Sequence, residues 1–450
     1  MKKLFTLLLA LLLVTTAFVG CSKSKGPGNE EKVDLNVDKQ IEAELTISIP
    51  GGNKNEQTMI DCLIEDFEEE YPNVTISKDY ISIDNYASEI SRKALAGSLS
   101  DIIWSNSPDF YDLLEADILA KLNPYIAASE AAGAFNFEDD FYSDYFDMGS
   151  SAGNYYVVPR SCDSIVTFYN KDIFTKAGVD MSKVKNGWTW QDMLDACALI
   201  RPWMDKNGMS GNYVLDANLT SWLSVCYPLL NSYGVEVIDE NGTNVIDCPE
   251  TKEVVEMIRE MVENRYIIDS TMASTASFET GGSAMIFQSV SVSFYADRVA
   301  LKGKIDLVSF PLVTAKGTPK IGAGIAGYAI TQQSKNKNLA WLFLQHLLSY
   351  DGQQNMALNG LNLASIRKNL SDPQTANWGQ QYKHLNLQAY TFGSEYKVAC
   401  EFFTRTDLTA KAGIDQALRN MFTDATNKSK DITKLIASCK EAISDAMIGY

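Results

Sequence analysis

The strongest constraint in this chain is an alternation of short β-type and longer helical patterns that begins near residue 45. Leu45-Thr46-Ile47-Ser48-Ile49 alternates and stops at Pro50-Gly51-Gly52, as a strand entering a turn does. From Glu56 to Glu70, Met59, Ile60, Leu63, Ile64 and Phe67 recur at helical spacing, and Tyr71-Pro72-Asn73 ends the helix before a strand at Val74 to Ser77. A helix at about Tyr86 to Ala96, the apolar strand Asp101-Ile102-Ile103-Trp104 and a helix starting near Pro108 continue the series. Strand and helix in strict alternation predict a parallel sheet covered on both faces.

The middle of the chain repeats the pattern. Strands are expected at Tyr155 to Pro159 and Ser164 to Tyr169, and helices at about Lys171 to Ala177, Trp190 to Trp203 and Pro249 to Asn264. Lys304 to Phe310 and Ala326 to Thr331 are strand-like, Asn338 to Ser349 is an amphipathic helix, and the rest from Gly352 is mostly helical. With 450 residues, two α/β bodies are the natural division. No short fixed period recurs, which argues against a solenoid.

Charge narrows the partners. Thirty-nine Lys+Arg against 57 Asp+Glu give a net charge of −18, and no long basic stripe is present, so no nucleic-acid partner is expected. At the N-terminus, Lys2 and Lys3 precede a weakly polar run from Leu4 to Gly20, the length of a secretory apolar region. Residues 1–20 read as a signal peptide. Phe18-Val19-Gly20-Cys21 resembles a bacterial lipobox, with Cys21 as the lipidated residue, and residues 21–43, poor in aromatics, read as a flexible tether. The seven other cysteines are widely spaced without a Cys-x-x-Cys pair, so neither a zinc site nor a disulfide framework is expected, and buried free thiols are.

Catalytic patterns are scarce. His346 and His384 are the two histidines, too few for a multi-His metal centre, and no nucleophile-elbow or P-loop pattern occurs. Gly322-Ala323-Gly324-Ile325-Ala326-Gly327 spells a dinucleotide fingerprint, yet its glycines precede a strand where they should follow one. No cofactor is expected. Aromatic residues beside turns and polar side chains suit carbohydrate, whose C–H faces stack on rings while its hydroxyls seek Asp, Asn and Arg. Trp104, at the carboxyl end of a strand before Ser105-Asn106-Ser107, is a ligand contact or a core residue, and Tyr86, Phe110, Tyr111 and Trp222 pose the same alternative.

Several segments together resemble the bacterial extracellular solute-binding proteins of family 1, the lipoprotein receptors of sugar-importing ABC transporters. They are Phe67-Glu68-Glu69-Glu70-Tyr71-Pro72-Asn73-Val74, Ala94-Leu95-Ala96-Gly97-Ser98-Leu99-Ser100-Asp101-Ile102-Ile103, and Phe168-Tyr169-Asn170-Lys171-Asp172-Ile173-Phe174-Thr175-Lys176-Ala177-Gly178-Val179. Thr189-Trp190-Gln191-Asp192, Gly282-Ser283-Ala284-Met285, and Gly327-Tyr328-Ala329-Ile330 leading to Ser334-Lys335-Asn336-Lys337 complete the set.

The resemblance implies a periplasmic-binding-protein-like α/β fold, two lobes joined by hinge strands around a ligand cleft. Lobe one is expected over 44–166 and 311–350 and lobe two over 167–310 and 351–450, with crossings at Tyr169-Asn170 and Phe310-Pro311. It further implies a non-enzymatic, monomeric receptor that binds a carbohydrate, an oligosaccharide by preference. The receptor would be lipid-anchored through Cys21 on the outer side of the cell membrane and would deliver its ligand to permease subunits. Asn53, Tyr86, Trp104, Asn106, Asp109, Trp222, Phe287 and Arg367 are the expected ligand residues. The Gly-x-Trp that follows Gly-x-Ala-Met in many relatives is replaced by Ile286-Phe287-Gln288-Ser289-Val290-Ser291, which leaves the sugar open. A same-fold receptor for a peptide, polyamine or phosphodiester, and more remotely a surface glycoside hydrolase with a carboxylate pair, are the competing readings.

Overall fold

The computed structural model describes residues 33–448 except 53, 217–222, 273–276, 315, 359–363, 373–381, 400–405 and 407. Cys21, the signal segment, most of the tether, Asn53 and Trp222 lie outside the described residues. The described residues from Leu35 onward form one compact unit.

Lobe one is built on β1 (Ala43–Gly51), α1 (Lys54–Glu70), β2 (Val74–Ser82), α2 (Tyr86–Ala96), β3 (Ile102–Asn106) and α3 (Ser107–Glu115). β1 pairs in parallel with β2 over its whole length and with β3 through Ile47 and Ser48. Leu45, Ile47 and Ile49 are buried, and so is Ser48 on the opposite face, where its hydroxyl donates to Asp79 at 2.9 Å. A strand buried on both faces is what βαβ crossovers produce. α2 stops at Gly97, whose left-handed backbone (φ 65°) accommodates the turn into β3.

The expected parallel sheet is in fact mixed. Its order is β2-β1-β3, then β9 (Ala326–Ile330), then β4 (Val158–Pro159), with β9 antiparallel to both its neighbours. The reason is topological: β9 comes back from the other lobe and runs against the strands it joins. Gly327 in its centre has no room for a side chain, since a Cβ there would collide with the carbonyl oxygen of Val158.

Lobe two holds β5 (Val166–Asn170), β6 (Leu215–Asp216), β7 (Met285–Gln288) and β8 (Ile305–Ser309) in the order β8-β5-β7-β6. β5 is antiparallel to both β8 and β7, so this second sheet also departs from a purely parallel one. α4 (Trp190–Lys206) opens on a capping box between Thr189 and Asp192. α5 (Pro249–Glu263), α8 (Leu408–Ala425) and α9 (Ile432–Met447) pack on the same core, in which Trp188, Met193, Ile200, Ile258, Phe287, Phe310, Ile414, Leu418 and Ile443 are buried together.

Tyr169-Asn170 and Phe310-Pro311 do not mark the passages between sheets. Asn170 pairs with Ile305 inside sheet two, and beyond Phe310 the Trp190 N–H still donates to the carbonyl of Leu312 at 2.9 Å. The chain instead changes sheet through residues 160–165 and 321–325, which run side by side. Ser164 bridges Ala323, Ile165 N–H donates to Gly322 at 2.9 Å, and Ile321–Gly322 pairs in parallel with Lys397–Val398.

The chain after residue 350 does not pass directly to lobe two. α7 (Tyr350–Met356) follows α6 (Lys337–Leu348) at once and lies against α1, with Asn355 donating to Asp66 at 2.5 Å. Arg367 donates to the carbonyl of Leu348, and the Tyr142 hydroxyl donates to Ser371. Tyr382 contacts lobe two, its hydroxyl donating to Asp297 at 2.7 Å. At the other end, Lys39 and Gln40, expected in the tether, reach Glu70 and Asn73 of the folded body. Cys62, Cys162, Cys197, Cys248 and Cys439 are free thiols, and among the described residues no helix is long and apolar enough to cross a membrane.

Candidate functional site

The carboxyl ends of β1 and β3 lie together at one edge of sheet one, where an open α/β sheet leaves backbone groups and helix N-termini facing outward. Asn106 ends β3 and caps α3: its side-chain oxygen accepts the Asp109 N–H at 2.9 Å. Both residues are only partly buried. Burial, and after it the neighbouring Asp112 carboxylate, pushes the Asp109 carboxyl up to about 6, against the opposing hydrogen bond with Asn106. The edge therefore presents an amide and a carboxylate held by one helix cap, groups suited to a ligand rich in hydroxyls.

Tyr86 and Trp104 stand beneath this edge. Their rings meet edge to face at 5.3 Å, and only 2% of Tyr86 is exposed. The Tyr86 hydroxyl donates to the carbonyl of Ser48 and accepts the Trp104 N–H, both at 2.9 Å, so it bridges β1 and β3. Its polar end is spent on the backbone, which gives it a structural task. The indole N–H of Trp104 and the hydroxyl of Ser105 are buried without a partner among the described residues. Phe110 is a core residue and packs edge to face on Tyr111.

Phe287 and Arg367 are set apart from this edge. Phe287 is 4% exposed and packs on Phe310 at 4.9 Å and Trp190 at 6.2 Å in the core of lobe two. Arg367 is 7% exposed, lies over the Phe141 ring at 5.0 Å and pairs with Asp140 at 3.1 Å. In this structure both belong to packing. Asn53 and Trp222 lie outside the described residues. Asn106, Asp109, Tyr86 and Trp104 are thus the expected residues that the fold brings together.

Sequence reasoning missed a buried ionic cluster where β4 leaves sheet one. Arg160 donates from Nε to Glu56 at 3.0 Å and from a terminal nitrogen to Asp163 at 3.1 Å, while the Tyr328 hydroxyl donates to Glu56 at 2.5 Å. Burial alone would lower the guanidinium, but the Asp163 and Glu56 carboxylates hold it above its usual range. Beside it, Lys397 donates to Ser164, and burial pulls its ammonium down to about 7. These residues come from four distant stretches, and no local pattern marks them. A carboxylate in the first turn of α1, at Glu56, was the one available signal.

Among the described residues no group of three or more His, Cys, Asp or Glu is placed to hold a metal ion.

Comparison with known proteins gives a consistent outcome. A family model described as bacterial extracellular solute-binding protein matches residues 54–354, more than half of the chain. An arabinooligosaccharide-binding protein of Halalkalibacterium halodurans is 24% identical over 217 residues, a match that spans 46% of each chain, so about half of that relative is covered. An arabinooligosaccharide-binding protein of Bacillus subtilis is 25% identical over 361 residues, covering 76% of each chain. Among solved structures, an ABC substrate-binding protein from Listeria monocytogenes in complex with cycloalternan superposes with a TM-score of 0.68 at 18% identity, covering 90% of this chain and 99% of that one. The last likeness is one of fold.

Proposed function

Because this chain belongs to the bacterial extracellular solute-binding proteins, we propose that it is the substrate-binding component of an ABC importer that captures a carbohydrate, an oligosaccharide by preference, between its two lobes. The observation that carries the reading is the pair Asn106 and Asp109 at the carboxyl edge of sheet one, on a two-lobe frame whose relatives include arabinooligosaccharide-binding proteins. The amide and carboxylate would take sugar hydroxyls, and Trp104, whose indole N–H has no partner among the described residues, lies just behind them.

In this reading lobe one comprises the elements on sheet one up to Pro159, those from Ala326 to about Ser371, and α3 at the rim. Lobe two comprises β5 to β8 and the helices from Tyr382 onward. The side-by-side segments 160–165, 321–325 and 397–398 form the hinge, and rotation about them closes the lobes over the ligand. The protein acts as a monomer without catalysis, is held through lipid on Cys21 at the outer face of the membrane, and hands its ligand to permease subunits.

A thermal-shift screen of the protein from Ser22 onward against arabino- and malto-oligosaccharides tests this reading. A ligand at about a hundred times its Kd stabilises by about 2.7 kcal/mol. A shift confined to one sugar series is expected, and the absence of a shift across neutral carbohydrates would refute it.

A further inference from the structure

The lobes also meet away from the hinge. Lys411, in the first turn of α8, is 4% exposed and donates from Nζ to the Asp112 carboxylate of α3 at 3.1 Å. Its Nζ also lies 5.8 Å from the centre of the Tyr111 ring. Its neighbours Ala410, Ile414 and Leu418 belong to the core of lobe two, whereas α3 grows directly out of β3 in lobe one.

Local physics does not favour a buried lysine at this point. The free N–H groups of a helix's first turn make that end positive, and an ammonium there is repelled. Burial adds a desolvation penalty that only a well-placed partner offsets. That partner is supplied by the opposite lobe. Asp112 stands three residues after Asp109, so both carboxylates occupy one face of α3, the first at the proposed ligand edge and the second under Lys411.

We propose that Lys411 is a positioning residue that latches α8 of lobe two onto α3 of lobe one and so couples lobe closure to the orientation of the Asn106–Asp109 cap. The latch rests on the reading of the cleft as a carbohydrate site. Closure brings the half-buried Asp112 carboxylate and the buried Lys411 ammonium together, and opening would expose both further to water, so the pair biases the equilibrium between open and closed forms.

The test uses the folded protein with Lys411→Met, Lys411→Arg, Asp112→Asn and the Lys411→Met/Asp112→Asn double variant, titrated calorimetrically with arabinotriose and maltotetraose and measured by small-angle X-ray scattering. Lys411→Met and Asp112→Asn are each expected to weaken sugar binding at least about tenfold, and the double variant no further, because both changes remove one interaction. Lys411→Arg, which keeps the charge and the donor, is expected to retain most of the affinity. Without sugar, Lys411→Met should show a larger radius of gyration than the parent. An unchanged affinity in a folded Lys411→Met variant, or losses that multiply in the double variant, overturns the latch. If the parent binds neither sugar, the carbohydrate reading is what fails, and scattering alone then decides the latch: an unchanged radius of gyration in Lys411→Met overturns it, and an increase sustains it.

Discussion

Arg160 and Glu56 are joined by a 3.0 Å hydrogen-bonded ion pair in which the carboxylate is 1% exposed, and they lie 104 residues apart in the sequence. Arg160 begins the segment that leaves sheet one, and Glu56 sits in the first turn of α1 beside the candidate ligand edge. The pair therefore fixes where the chain leaves sheet one relative to the carboxyl edge that holds Asn106 and Asp109.

Replacing Arg160 by Met removes the guanidinium that bridges the buried Glu56 carboxylate and the partly buried Asp163 carboxylate. A loss of about 3–5 kcal/mol in unfolding free energy is expected, measured by urea denaturation. A loss below about 1 kcal/mol would mean that the cluster is not the tie described.

Tyr86→Phe removes the hydroxyl that bridges Ser48 and Trp104 and strands one buried carbonyl and one buried N–H. The expected cost is about 1–3 kcal/mol, with sugar affinity affected far less than stability. The reverse ranking, with affinity falling and stability intact, would assign Tyr86 to the ligand directly.

These two cases show what could and could not be read from the sequence. The order of strands and helices was legible, because apolar spacing and the Gly97 and Gly178 stops are local. The antiparallel insertion of β9 was not, since pairing between residues more than two hundred positions apart leaves no trace in either segment. At the edge of sheet one, the end of β3 and the start of α3 were legible, and the cap that joins Asn106 to Asp109 came only with the fold. Phe287 and Arg367 were chosen from resemblance, and the fold puts both into packing. The Arg160 cluster and Lys411 were invisible because each partner looks like an ordinary charged residue until the lobes are assembled.

Asp109 sets a pH dependence. Its folded carboxyl titrates near 6, above the ordinary 3.8, so the folded state holds the proton more tightly than the unfolded chain. The stability it contributes is fully present below about pH 4 and is lost as the pH rises through about 6, by at most about 3 kcal/mol. Melting curves of Asp109→Asn should lack this decline, and an identical pH profile in parent and variant would contradict the assignment.

Gly327→Ala places a methyl group against the Val158 carbonyl in the middle of sheet one. Backbone must shift to admit it, and a destabilisation of at least about 2 kcal/mol is expected from thermal unfolding. Unchanged stability would show that β4 is free to move away from β9.

The account turns on Asn106 and Asp109 holding a carbohydrate. The direct measurement is calorimetric titration of the parent and of Asn106→Ala/Asp109→Ala with the oligosaccharide series that gives a thermal shift, with chromatography of the sugar afterwards. The account predicts saturable one-to-one binding by the parent, unaltered sugar, and affinity lower by at least about a hundredfold in the folded double variant, as expected when two polar contacts are lost. Equal affinity in parent and variant, or a cleaved sugar, would contradict it.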